Sequence, residues 1–219
     1  MLFDPSNFHH SARFTVSNIY KLIDKWEWTD EEKNTFKQQI FTQITEMAKT
    51  LGLAIGAIRA VISENSEVSL VFDIDTLDGK RFTLSYVEAQ AYFSEGTFNT
   101  INLLVIFFFI ANAEPCTVLI DEFDGSLHHK LSEALLTFIR QIKKDSLGSQ
   151  VLITTHDILL LDKGFRRDSI FVLEKDDKHS SVITRADAFS IRKDAKLSLK
   201  YLNNEFGALP KILSEPNNG

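Results

Sequence analysis

The sequence predicts an α/β fold, with a mostly parallel core sheet, flanking helices, a small antiparallel meander and N-terminal helices. Three observations predict it. Apolar residues recur at helical spacing near the start, at Ile19, Leu22, Ile23 and Trp26. Between Ala54 and Tyr86 the pattern changes to β-branched and alternating residues. In the second half, apolar runs such as Thr117-Val-Leu-Ile-Asp121 and Val151-Leu-Ile-Thr154 alternate with helical stretches, the signature of βαβ units and a parallel sheet.

The elements follow in order. Residues 12 to 50 read as helical, with Thr29-Asp-Glu-Glu as the capped start of a second helix through Met47. Ile55 to Ser63, Val68 to Ile74 and Arg81 to Tyr86 form the meander, and Asp78-Gly79 supplies a hairpin turn. A small-residue turn, Phe93-Ser-Glu-Gly-Thr97, opens a helix from Phe98 to about Ala113. Strand Thr117 to Asp121, helix Leu127 to Lys144 and strand Gln150 to Thr154 come next. Both strands are nearly all apolar, as strands covered on both faces should be. A helical turn over Ile158 to Leu161 precedes strand Ser169 to Leu173, a final strand and helix fill residues 182 to 213, and a frayed tail ends the chain. The domain reading is a helical segment, 1–53, and a lobe, 54–219. That lobe holds the meander (54–90), the core (91–175) and a C-terminal strand and helix (176–213).

Composition narrows the function. With 44% apolar and 25% charged residues the chain reads as an ordinary globular protein, and 18 Phe predict an aromatic-rich core. A net charge of -6 argues against a surface that coats nucleic acid. Arg166-Arg167 and the basic run Arg192 to Lys200 keep a local nucleic-acid contact open, although such a run is commonly a solvated helix face. The single Cys116 forms no internal disulfide and fits a reducing cytoplasm. Met1 to Pro5 carries no signal-peptide pattern, and Leu103 to Ala111 is too short to span a bilayer, so a buried helix is expected there and no membrane. His9-His10 and His128-His129 lack the spacing of a zinc site. Phe107 to Phe109 reads as core.

Three constellations carry chemistry, each with a plainer alternative. In an open parallel sheet, ligands bind beyond the carboxyl ends of the strands. Asp121 and Glu122 stand at such an end; Asp121 suits Mg2+ and Glu122 suits orienting a water, against a solvated acidic loop. His156 ends the second run, where an imidazole would bond a terminal phosphate, against a residue capping the next helix between Thr155 and Asp157. Ser94 and Gly96 before a long helix make an anion site, against an ordinary helix start.

In combination these motifs resemble the ABC-type ATPases, most closely the OLD-like, AAA-ATPase-like proteins of prokaryotic defence systems. In that resemblance Ser94 to Thr97 match the signature motif, Thr117 to Glu122 the Walker B strand, and Val151 to His156 the switch-histidine strand. Asp124-Gly-Ser-Leu-His128 corresponds to the D-loop, with a histidine where many relatives carry aspartate. Leu160 to Asp162, Arg167 to Ile170 and Phe206 to Pro210 also look like that family, and the match runs over about 45–213.

One departure dominates. A P-loop needs Gly-x-x-x-x-Gly-Lys-Ser/Thr, and the only Gly-Lys, Gly79-Lys80, has Ile74 in the first glycine position. The family's P-loop lies upstream of everything matched. The resemblance therefore implies the C-terminal lobe of an ABC-type P-loop NTPase. Such a lobe would use ATP and Mg2+ only when a missing N-terminal part or a partner chain supplies the P-loop. It implies Asp121 for the metal, Glu122 and His156 for catalysis, and Ser94, Gly96, Thr97 and Asp124 for nucleotide contacts in a sandwich of two subunits. A homo-oligomer, such as a dimer, or a P-loop-bearing partner is expected. Without the P-loop strand, sheet edges need covering by another chain, the N-terminal helices or a rearranged strand. The alternative is a non-catalytic pseudo-ATPase, a binding or assembly module.

Overall fold

Thr29 starts the first long helix. Its hydroxyl accepts from the Glu32 amide at 3.3 Å, and the Glu32 carboxylate accepts from the Thr29 amide at 2.8 Å. This capping box satisfies donors that no helical carbonyl reaches. Helix α1 (Asp30–Thr50) then buries Ile40, Phe41, Ile44 and Ala48 along one stripe. The computed structural model describes residues 2–3, 20–21, 23–25, 27–62, 68–112, 115–145, 148–176, 178–189, 195–207 and 209. The first expected helix, around Ile19, Leu22 and Trp26, lies largely outside the described residues.

Two compact units divide the chain, Met1–Thr155 and His156–Gly219. In the first, strands β2 (Ala57–Ile62), β3 (Val68–Asp75) and β4 (Arg81–Ser85) form the expected antiparallel meander. Ile58, Leu70, Phe72 and Ile74 alternate onto its buried face. The β3–β4 turn closes through Thr76 N to Lys80 O at 2.8 Å, and Gly79 takes a φ of 79°. Gly79-Lys80 is thus a hairpin turn, where glycine supplies the left-handed backbone.

The meander does not extend into Tyr86 as a strand. Ser85 and Glu88 form a second capping box, and helix α2 (Tyr86–Tyr92) begins directly at the end of β4. The Ser-x-x-Glu signal outweighs the β propensity of Tyr86. Helix α3 (Glu95–Asn112) follows. By length and composition alone it would cross a membrane, yet twelve of its eighteen residues are buried within the protein. Each Leu, Ile or Phe it buries contributes about 1.5–3 kcal/mol, which accounts for a helix apolar all round. Phe72, Phe93 and Phe98 meet edge to face at 5.8–5.9 Å, part of the aromatic core.

The parallel sheet is three strands wide, in the order β1 (Leu2–Phe3), β5 (Thr117–Ile120), β6 (Gln150–Ile153). Leu2 pairs with Leu119, and Thr117 to Ile120 pair in step with Gln150 to Ile153. Residues Leu2 and Phe3 thus pair along one edge of β5. The expectation that both apolar strands are covered on both faces is corrected for β6. Leu152 is 53% exposed, because side chains along β6 alternate between a half-buried face and an exposed one. Helix α4 (His129–Asp145) connects β5 to β6 and buries Leu135, Leu136 and Ile139.

In the second unit, a 3-10 turn over Ile158–Asp162 leads to strands β7 (Phe171–Lys175) and β8 (Ser181–Arg185). The strand expected at Ser169 to Leu173 is not a further parallel strand. It lies at Phe171–Lys175 and pairs antiparallel with β8. The reason is the tight connection: the Asp176 carboxylate accepts from the Lys178 and Ser180 amides at 2.8 Å each, and a parallel pairing needs a crossover of a dozen residues or more. Helix α5 (Leu197–Leu202) is anchored by Asp162, which accepts from the Ser198 amide at 3.2 Å and from its hydroxyl. Val172, Leu197 and Phe206 form the core of this unit.

Candidate functional site at the carboxyl end of the parallel sheet

The β5–β6 pairing continues past the strands. Thr154 N donates to Ile120 O, and Phe123 N donates to Thr154 O, both at 2.9 Å. This places the Thr154 side chain between Asp121 and Glu122. Its hydroxyl donates to Asp121 Oδ1 and accepts from the Glu122 amide at 2.8 Å. Asp121, Glu122 and Thr154 are all exposed. Glu122 holds a φ of 47°, the left-handed region, which costs a non-glycine residue about 1–3 kcal/mol unless its surroundings impose it. The chain then turns through Gly125 N to Glu122 O at 2.8 Å and Leu127 N to Asp124 O at 3.0 Å, with Phe123 buried beneath.

Ser94 caps α3. Its hydroxyl accepts from the Thr97 amide at 3.2 Å and lies 3.0 Å from Thr97 Oγ1. The Thr97 and Phe98 amides also donate to Ser94 O, so the helix-start reading accounts for this turn. Among the described residues nothing accepts from the Glu95 and Gly96 amides. Those two, with the hydroxyls, are what the turn offers an anion. Gly96 also has a packing role: a Cβ there would come within 3.0 Å of the Ser126 carbonyl. Three residues on, buried Asn99 donates Nδ2–H to Gly125 O at 2.6 Å. The turn at Ser94–Thr97 and the loop Asp124–Ser126 are thereby tied together.

His128 has a structural part too. Its Nδ1 accepts from the Lys130 amide at 3.2 Å, the cap contact an aspartate oxygen makes at a helix start. His156 opens the second unit two residues beyond Thr154, and its side chain is exposed.

Sequence reasoning missed Thr154 and Asn99. Thr154 looks like one of two cap-type threonines before His156, and Asn99 like a polar break in an apolar helix. The polarity of Asn99 inside such a helix was the available signal. Among the other motifs, Asp162 anchors α5, Phe206 lies in the core, and Arg166 pairs with Asp168 at 3.0 Å. His9, His10, Arg192, Lys193 and Pro210 lie outside the described residues.

Among the described residues no three His, Cys, Asp or Glu side chains group into a metal cage. Mg2+ commonly takes one or two carboxylates and completes its shell with water and phosphate oxygens. Asp121 is a fitting ligand of that kind.

The mixed α/β fold, a parallel sheet with antiparallel strands beside it, is that of an ABC-type P-loop NTPase. The chain belongs to the AAA family described as "AAA domain, putative AbiEii toxin, Type IV TA system", whose profile matches residues 7–162. No curated protein matches it. Among solved structures it is similar to the SmcHead bound to the C-winged helix domain of ScpA, with a TM-score of 0.54 and 16% identity over 80% of this chain. It covers 50% of that chain, so it spans half the length of that relative. A second match, from work on the ATP-driven dimerization and DNA-stimulated activation of SMC ATPases, has a TM-score of 0.49 and 16% identity. It covers 79% of this chain and 94% of the other.

Proposed function

We propose that this chain is the signature, Walker B and switch-histidine lobe of an ABC-type ATPase of the OLD-like kind. It would bind and hydrolyse ATP when a P-loop comes from a preceding segment or a partner chain. The observation that carries this reading is the joint presentation of Asp121 and Glu122 by Thr154 at the sheet's carboxyl end.

Each residue has a part. Asp121 offers a carboxylate oxygen to Mg2+, which when bound with ATP neutralises charge on the phosphates. Glu122, exposed and free of side-chain hydrogen bonds among the described residues, orients and polarises the attacking water. His156 donates to the terminal phosphate. Ser94 Oγ and the Gly96 amide, with Thr97 beside them and Asp124 in the adjoining loop, face the nucleotide held by a second subunit. The family description and the SMC-head likeness support ATP and Mg2+ as ligands and a second protein chain as partner. The toxin–antitoxin wording of that description supports a role in prokaryotic defence.

The test is co-expression with a polypeptide that carries Gly-x-x-x-x-Gly-Lys-Ser/Thr, sought in the DNA flanking this gene, followed by ATPase assay. Hydrolysis should appear in the mixture and fall at least about a hundredfold with Glu122→Gln. No stimulation, or no loss in the variant, sinks the reading.

The second reading is a non-catalytic assembly module. It draws on the structural duties of Ser94, Gly96 and Asp121, which cap, pack and brace without any ligand. A rise in melting temperature that requires both Mg2+ and ATP counts against it.

A further inference from the structure

Thr154 touches both carboxylate residues of the candidate site, yet the motif reading gives it no role of its own. A threonine hydroxyl has one proton to give and lone pairs to accept with. Here the proton goes to Asp121 Oδ1 and a lone pair takes the Glu122 amide. Neither bond is replaceable by the other, because the first fixes a side chain and the second fixes backbone. The threonine is itself held on both sides, by its amide on Ile120 O and its carbonyl under the Phe123 amide. It is therefore a rigid donor and acceptor, set at the one height where the pair of residues leaves the sheet.

Two consequences follow. The bond on Oδ1 leaves Asp121 Oδ2 with all its lone pairs for a ligand and limits rotation of the carboxylate. That suits a cation demanding octahedral, one-oxygen contacts. Glu122 is kept at a φ of 47° by the bond to its own amide, by the Gly125 amide on its carbonyl and by buried Phe123 next in line. Without the hydroxyl that amide has no acceptor, and the strained backbone is free to relax into the ordinary right-handed or extended regions. The carboxylate of Glu122 would then leave its place.

We propose that Thr154 is the positioning residue of this site, presetting Asp121 and Glu122 before any metal or nucleotide arrives. The inference rests on the ATPase reading for its purpose but not for its test. Thr154→Val keeps the shape and β-branching and removes both bonds, whereas Thr154→Ser keeps the hydroxyl.

Amide hydrogen exchange of the 219-residue chain, without metal or nucleotide, reads the effect directly. Thr154→Val should speed exchange at Glu122 about tenfold, the value of one ordinary hydrogen bond. The amides of β5 and β6 should stay as in the wild type, and Thr154→Ser should restore protection. Unchanged exchange at Glu122, or acceleration spread evenly over both strands, overturns the proposal; the latter outcome marks a merely structural residue. In the P-loop-complemented assembly, Thr154→Val should lower kcat about tenfold or more with KM nearly unchanged, and Thr154→Ser should recover it. A complemented assembly that never hydrolyses ATP defeats the ATPase reading, while the exchange result still decides this one.

Discussion

Asn99 donates its side-chain amide to the carbonyl of Gly125 at 2.6 Å, across 26 residues of sequence, while its own Oδ1 has no partner among the described residues. A buried amide half-satisfied in this way ties a helix start to a loop at some cost. The asymmetry predicts an order among variants. Asn99→Ala removes the donor, strands the Gly125 carbonyl and opens a small cavity, for a loss of about 1–3 kcal/mol. Asn99→Asp should be worse, because it sets a buried acceptor against that carbonyl and leaves no donor. Urea unfolding midpoints should rank wild type above Asn99→Ala above Asn99→Asp; a reversed order of the two variants refutes the donor role.

Gly96 and Gly125 differ in how closely backbone approaches them. A Cβ at position 96 would press on the Ser126 carbonyl from within 3.0 Å, whereas one at 125 would meet the Glu122 carbonyl at 3.1 Å. Ser126 has little room to retreat, holding a φ of 58° between two turn bonds. Gly96→Ala should therefore cost about 1–3 kcal/mol and Gly125→Ala clearly less. Paired melting curves check the difference. Gly96→Ala melting like wild type would show that the contact is slack.

Much of this architecture is legible in the sequence, for reasons tied to particular residues. Period and punctuation mark the meander, the buried helix α3 and the two apolar strands, because each has one dominant signal. Tyr86 reads as strand from its β propensity, and the capping box between Ser85 and Glu88 turns it into the start of a helix instead. The antiparallel β7–β8 pairing is not legible in the strands themselves, because strand direction depends on the connection, here an Asp176 turn. Asp121 and Glu122 are visible as chemistry at a strand end. Thr154 and Asn99 are not, since their importance lies in contacts 33 and 26 residues away in sequence.

Asp73 predicts an acid-sensitive meander. It is buried, and the Arg59 guanidinium, bonded at 2.8 and 2.9 Å, holds its carboxyl below the usual range, with the Thr83 hydroxyl adding at 2.7 Å. A carboxyl whose folded pKa lies below its unfolded value of about 3.9 stabilises fully above that value. The contribution is lost as pH falls through the folded pKa. Asp73→Asn should cost about 2 kcal/mol at neutral pH and flatten the fall in stability below about pH 4. Asp75→Asn, which removes an exposed partner of Arg81, should do little. Urea midpoints from neutral pH downward measure both, and parallel acid limbs for wild type and Asp73→Asn contradict the assignment.

The second unit has a thin core, and Phe206 carries much of it. Its ring meets Phe189 edge-on at 4.9 Å, and Leu161, Ile170 and Tyr201 pack around the cluster it forms with Val172 and Leu197. Truncation of such a buried ring costs about 3–5 kcal/mol, a large share of what so short a segment can muster. Phe206→Ala should therefore abolish exchange protection across β7, β8 and α5. The first unit draws on a separate core around α3, so β5 and β6 should keep their protection. Leu199→Ala, at a side chain 54% exposed, is the control and should change stability by less than about 0.5 kcal/mol. If Phe206→Ala strips protection from β5 and β6 as well, the two units fold as one cooperative body, and the local account of Phe206 fails.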